Sequence, residues 1–248
     1  MRNLKVTMEY DGTHYYGFQY QASLPTVQGT IEQAWSRVLQ EPVKLTAAGR
    51  TDTGVHAEGQ VVSFYTASRM GLEHMPPALN SLLTPDIHVR MVEEVPTQFN
   101  ARFSARMRCY RYRLSEGFNA RPQWRHSVAY FPMKLEARRL AEATSVFEGK
   151  KNFFAFCGGG VQAKEAFKTV RHTSVVEADG ITNIQFEAPS FLPKMVRMMV
   201  AAAIQMAAGA VSRERIEELL HRASEKFTKV APPQGLSLVA VHYEEVAR

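Results

Sequence analysis

With 248 residues, 45% of them hydrophobic, the chain is long enough for one large domain or two modest ones around a substantial core, which excludes a disordered or fibrous protein. Thirty basic against 24 acidic residues give a net charge of +6, a balance that favours a polyanionic partner without defining one. Cys109 and Cys157 are too few for a disulfide framework and lack Cys-x-x-Cys spacing, and the N-terminus shows no secretory leader, so a reducing cytoplasm is expected.

Leu4, Val6, Met8 and Tyr10 alternate with Lys5, Thr7 and Glu9, which predicts a strand ending at Asp11-Gly12. Residues 10–19 then form a turn dense in aromatic rings, suited either to packing or to stacking unpaired bases. Val27, Ile31, Ala34, Trp35 and Val38 recur at helical spacing behind Thr26, a suitable N-cap. Val43, Leu45 and Ala47 alternate as a strand, and Val61-Val62-Ser63-Phe64-Tyr65 reads as another. Between them lies the polar loop 49–60, whose glycines Gly49, Gly54 and Gly59 permit a tight fold that presents Asp52 beside Arg50. Such a loop is either an active site or an ordinary hairpin turn capped by its Asp.

Pro76 to Leu83 suits a short helix beginning with proline, and Ile87, Val89 and Met91 alternate as a strand. The resulting β-α-β-β-α-β order predicts a ferredoxin-like unit of an α+β protein, with helices on one face of a mixed, mostly antiparallel sheet. A second such unit is expected from a strand over 107–114, a helix over 134–148 (Leu140, Ala143, Thr144 and Phe147 on one face) and strands at Val170–Val176 and Ile181–Ala188. Ala178-Asp179-Gly180 joins those two strands as a hairpin. A helix over 192–209, a shorter one with Ile216, Leu219, Leu220 and Ala223 on one face, and a strand from Leu236 to Tyr243 complete it. The halves divide as 1–104 and 105–248. Arg197, Gln205 and Gly209 interrupt the most apolar stretch, so it reads as a buried helix and not a membrane span.

Arg102, Arg106, Arg108, Arg111 and Arg113 interleave with Phe103, Tyr110 and Tyr112. This is either an edge strand guarded by charge or a surface of forked donors and rings for phosphates and unstacked bases. Arg197, within an apolar helix, either pairs with a carboxylate or snorkels to the surface. His14, His56, His88 and His172 lack metal-ligand spacing, and Gly158-Gly159-Gly160 with Lys164 fails the phosphate-loop pattern.

The run Gly49-Arg50-Thr51-Asp52-Thr53-Gly54-Val55-His56 resembles the signature of the pseudouridine synthases of the TruA type, with Thr53 where many members have Ala. The aromatic turn 10–19, the stretch Arg108-Cys109-Tyr110-Arg111-Tyr112, the segment Phe191 to Arg197 and Gly235-Leu236-Ser237-Leu238-Val239 resemble further motifs of that family, so the likeness spans essentially the whole chain. Asn100 and Lys194 stand where the family frequently has His. The resemblance implies that Asp52 is the catalytic carboxylate, that Tyr110 stacks on the target uracil and assists proton removal, and that Arg197 pairs with Asp52. It implies that Arg50 faces the substrate, and it strengthens Arg102, Arg106, Arg108 and Arg111 as RNA-binding residues beside Tyr110. The implied fold is two ferredoxin-like halves with a basic RNA-binding cleft. The implied activity converts uridine to pseudouridine at positions 38, 39 and 40 in the anticodon stem-loop of tRNA, without a cofactor or metal, in a cytoplasmic homodimer. The alternative is a non-catalytic RNA-binding protein using the same basic and aromatic surface.

Overall fold

The computed structural model describes residues 1–116, 121–221 and 225–244. In chain order its elements are β1 (Arg2–Tyr10), α1 (Val27–Leu39), β2 (Thr46–Ala47), β3 (His56–Thr66), α2 (Met75–Asn80), β4 (Ile87–Val95), β5 (Ala105–Glu116), β6 (Ala129–Phe131), α3 (Ala137–Ser145), β7 (Gly149–Asn152), β8 (Phe167–Val170), β9 (His172–Ala178), β10 (Ile181–Ala188), α4 (Met195–Ala207), α5 (Arg213–His221) and β11 (Leu236–Tyr243). They fall into two compact units, Met1–Arg108 with Ser237–Arg248 and Cys109–Leu236, so the boundary cuts β5 after Arg108.

In the first unit β1 pairs antiparallel with β3 on one side and β4 on the other, and β2 pairs antiparallel with β3. The spatial order β4-β1-β3-β2 is that of the ferredoxin-like unit expected from the sequence. β11 joins β3 in parallel at Ser237 and Leu238, which makes the sheet mixed.

Three strands differ from the expected ones, each for a local reason. β3 begins at His56, so Glu58, Gly59 and Gln60 lie within the strand and not in the loop; Met8 of β1 stands opposite Gln60 and Tyr10 opposite Ala57, with a register shift between them. A Cβ on Gly59 would stand 2.4 Å from the Val239 carbonyl oxygen, so glycine is what lets β11 approach. β2 is only two residues long because the preceding backbone donors bond elsewhere: Leu45 N–H to the Glu32 carboxylate at 2.9 Å and Val43 N–H to the Ser36 hydroxyl at 3.1 Å. In β4 a bulge pairs Thr7 with Met91 but Met8 with Val89, which reverses the alternation and leaves Met91 46% exposed while Val92 is buried.

Thr26 Oγ1 accepts the Gly29 N–H at 3.3 Å and starts α1, as expected of an N-cap. Ile31 and Trp35 bury against the sheet, the Trp35 ring tilted on Phe64 at 4.8 Å. α2, with Pro76 and Pro77 in its first turn, buries Met75 and Leu79 and packs on β4 and α1. Because side chains alternate along a strand, Val61 points opposite to Val62 and joins a smaller cluster with Ala48 and Ala101, flanked by Phe99, Val241 and Tyr243.

In the second unit β10 lies between β5 and β9, β6 runs parallel to β5, and β7 with β8 forms an antiparallel pair of its own. Asp179 and Gly180 take φ values of 54° and 77°, the two left-handed residues that a tight hairpin between β9 and β10 requires. The strand expected from Val170 is two, because the chain changes partners at Arg171. α3 is shorter than expected and Phe147 lies beyond its end, yet it is fully buried against Phe153 and Phe156. α4 starts only at Met195, after Lys194 in the left-handed region, and is buried along most of its length. α5 buries Ile216, Leu219 and Leu220; Ala223 lies outside the described residues. No helix among the described residues is long and apolar enough to cross a membrane.

Candidate active site

The loop that leaves β2 at Ala47 and enters β3 at His56 is fastened to β1 and to the aromatic turn after it. Gln60 Nε2 donates to the Gly49 carbonyl at 2.7 Å and lies 3.3 Å from Tyr10 Oη, while Tyr10 Oη and Thr51 Oγ1 share a hydrogen bond of 2.8 Å. Phe18 N–H donates to the Thr51 carbonyl at 3.0 Å, Gly54 N–H to the Tyr15 carbonyl at 3.4 Å and Gly12 N–H to His56 Nδ1 at 3.1 Å. Val55 N–H closes a turn on the Asp52 carbonyl at 3.1 Å. The two segments meet backbone to backbone: a Cβ on Gly12 would fall 2.0 Å from the Val55 carbonyl oxygen.

Tyr15 and Phe18 are buried as a packing bed, whereas Tyr16 is exposed. On the loop itself Arg50 is exposed, Thr51 is buried and Asp52 is half-buried, so successive side chains point out, in and partly out. A carboxylate on a backbone fixed this firmly needs little reorganisation to reach a reacting atom. Burial pushes the Tyr10 phenol up to about 12, against the opposing hydrogen bonds from Thr51 and Gln60, so this hydroxyl keeps its proton at neutral pH.

Asn100 builds the turn that carries the first arginine. Its Oδ1 accepts the N–H groups of Arg102 and Phe103 at 3.0 and 3.1 Å, and the turn is docked by Ala101 N–H on Ser63 Oγ at 3.0 Å and Tyr243 Oη on the Ala101 carbonyl at 2.8 Å. Arg102 is thereby left exposed, its guanidinium 5.5 Å from the ring centre of Phe103, which is 78% exposed. A cation beside an open ring suits both a phosphate and an unstacked base. Arg106 is also exposed and meets Glu244 at 2.8 Å, an open ion pair that costs little to exchange for another anion. Arg108 differs: it is 7% exposed, its Nε and Nη2 donating to the Ala48 carbonyl at 2.9 and 2.7 Å and Nη2 to the Arg102 carbonyl at 2.7 Å. It ties the start of the loop to the Asn100 turn.

In the second unit Tyr110 is buried edge-on to Phe191, ring centres 5.1 Å apart at 85°. Arg111 beside it is half-buried. Arg197 lies in the first turn of α4, where its Nε donates to the Ala231 carbonyl at 2.8 Å and its own carbonyl accepts Ala231 N–H at 3.1 Å. Tyr112 Oη donates to the Pro232 carbonyl at 3.0 Å; burial pushes this phenol up, with the Arg197 charge opposing.

In the first unit Arg108 thus connects the start of the loop that carries Arg50 and Asp52, at Ala48, with the turn that carries Arg102, while Arg106 stands exposed; the second unit holds Tyr110, Arg111 and Arg197. Sequence reasoning named Tyr10, Gln60, Asn100 and Phe191 but did not foresee the contacts they make here. The available signal was Gln60, an amide opening a β-branched run that is otherwise apolar. Among the described residues no group of three or more His, Cys, Asp or Glu is placed to hold a metal ion.

A family model described as tRNA pseudouridine synthase matches residues 6–104 and 143–244. The tRNA pseudouridine synthase A of Pseudothermotoga lettingae is 38% identical over 245 residues, covering 98% of this chain and 100% of the relative. That of Acetivibrio thermocellus is 36% identical over 244 residues, with 98% and 100% covered. Among solved structures, a chain in a crystal structure of a Cbf5-Nop10-Gar1 complex aligns with 81% of this chain and 45% of its own at 11% identity and a TM-score of 0.36, too loose a likeness to carry an argument. On the family match and the full-length identities, the chain belongs to the tRNA pseudouridine synthase family.

Proposed function

We propose that the protein isomerises uridine to pseudouridine at positions 38, 39 and 40 in the anticodon stem-loop of tRNA, with Asp52 as its catalytic carboxylate. The observation that carries this reading is the loop 49–56: its backbone is fastened on both sides of Arg50 while Asp52 stays half-buried on its open side. A base within a paired stem must be extruded, at a cost of a few kcal/mol that contacts to the backbone offset. Arg102, Arg106 and Arg111 supply those contacts, and Arg50 faces the flipped nucleotide. Arg108, buried on two carbonyls, serves the same end by holding the loop.

Tyr110, backed by Phe191, receives the uracil face and assists removal of its C5 proton. Asp52 starts the reaction, as nucleophile or as the base that deprotonates the ribose, so that the glycosidic bond breaks, the retained uracil rotates and C5 bonds to the sugar. Arg197 pairs with Asp52 and aims it, as a guanidinium fork fits a carboxylate. No cofactor enters this chemistry. We place the enzyme in the cytoplasm and expect a homodimer, on family resemblance.

Mapping pseudouridine by carbodiimide modification and primer extension tests the assignment. Incubation of unmodified tRNA with the protein is expected to create stops at positions 38 to 40 wherever uridine stands there. Tight tRNA binding with no stop at any position would instead favour the non-catalytic RNA-binding protein.

A further inference from the structure

We infer that Tyr10 and Gln60 are positioning residues of the reaction: a buried line of hydrogen bonds through Gln60, Tyr10 and Thr51 fixes the backbone on both sides of Arg50 and thereby aims Asp52. The inference rests on the reading of Asp52 as the catalytic carboxylate. The direction of the bonds made by Gln60 follows from the donors available. Gln60 Oε1 accepts Val61 N–H at 3.1 Å, which turns the amide so that Nε2 faces both the Gly49 carbonyl at 2.7 Å and Tyr10 Oη at 3.3 Å. Tyr10 Oη, accepting there, shares a further hydrogen bond of 2.8 Å with Thr51 Oγ1. Phe18 N–H holds the carbonyl of that same Thr51 at 3.0 Å.

Gly49 and Thr51 are thus held by separate ends of one line, and the residues they flank and precede, Arg50 and Asp52, have little freedom to tilt. Tyr10, Gln60 and Thr51 are themselves buried, so they act through the loop and not by touching RNA. Buried polar lines fully satisfied in this way specify one arrangement, whereas removal of one member leaves its neighbours unpaired. A loop loosened by about 1 Å loses rate roughly a hundredfold in well-oriented chemistry, without loss of substrate affinity.

The test is steady-state turnover of tRNA tritiated at uracil C5 by wild type, Tyr10→Phe, Thr51→Val, Thr51→Ser and Asp52→Asn, with thermal melting of each. Tyr10→Phe and Thr51→Val are expected to lower kcat roughly 10- to 100-fold with KM within about twofold of wild type, and Thr51→Ser, which keeps the hydroxyl, to restore most of it. A merely structural role would lower the melting temperature and leave kcat of the folded fraction in place. If Tyr10→Phe does not fold, the Thr51 pair decides alone. Wild-type kcat in Tyr10→Phe and Thr51→Val, or a Thr51→Ser as slow as Thr51→Val, overturns the inference while an inactive Asp52→Asn keeps the catalytic reading. An Asp52→Asn that turns over like wild type overturns the catalytic reading itself.

Discussion

Two phenols of the first unit, Tyr10 on Thr51 and Tyr15 on Thr84, are buried, and both hold their protons more firmly in the folded protein than in the unfolded chain. Burial raises Tyr10 to about 12 and pushes Tyr15 upward as well. Below the unfolded value of about 10 both states are protonated and the stabilisation is complete; as pH rises from there towards about 12 the unfolded chain releases its proton first, and stability is lost. The melting temperature is therefore expected to fall between about pH 10 and pH 12, and less steeply in Tyr10→Phe. An equal slope in that variant would contradict the buried phenol. At this scale the glycine-rich loop left an active site and a capped hairpin turn equally open, and the resemblance of residues 49–56 to a family signature is what singled out Arg50 and Asp52. Tyr10 was not legible as part of the site: alternation alone marks it as a core residue, and its partners lie 41 and 50 positions away. Arg108 shows the same limit, since its number among five arginines does not reveal that it turns inward onto Ala48 and Arg102.

α1 and the segment that follows it are joined by one carboxylate. Glu32, buried on the helix, accepts Leu45 N–H at 2.9 Å and Gln28 Nε2 at 2.8 Å; Lys44 at 3.2 Å is mostly exposed and adds little. Glu32→Ala leaves a backbone donor without its acceptor and is expected to cost about 1–3 kcal/mol in urea unfolding. A loss under about 0.5 kcal/mol would show that the segment finds another partner. The same bond explains why period-2 alternation over Val43, Leu45 and Ala47 overstated β2: side-chain pattern is shared by a ladder strand and by an extended segment whose donors bond a helix. Alternation also missed the β4 bulge, which is set by pairing with β1. Elements whose cause is local were read well, among them α1 with its Thr26 cap, the Asp179-Gly180 hairpin and β11.

For the molecule as a whole, the ferredoxin-like order of the first unit was legible because hydrophobic periodicity gave the element sequence and few topologies satisfy it. The membership of β11 with the first unit was not, since strand pairing across more than a hundred residues leaves no local trace. The net charge of +6 and the exposed Arg102 and Arg106 lead to an expectation about binding. tRNA affinity should fall with salt, and the double variant Arg102→Ala, Arg106→Ala should lower the log–log slope by about one for each phosphate contact removed. A filter-binding series with an unchanged slope would exclude both side chains from phosphate contact. The central claim, that a loop held from beneath presents Asp52 for uridine isomerisation, is tested most directly by tritium release to water from C5-labelled tRNA, with wild type and Asp52→Asn side by side. Release by the wild type and none by Asp52→Asn, with tRNA binding kept in both, is the predicted result; equal release by the two, or none from a folded wild type that binds tRNA, would contradict it.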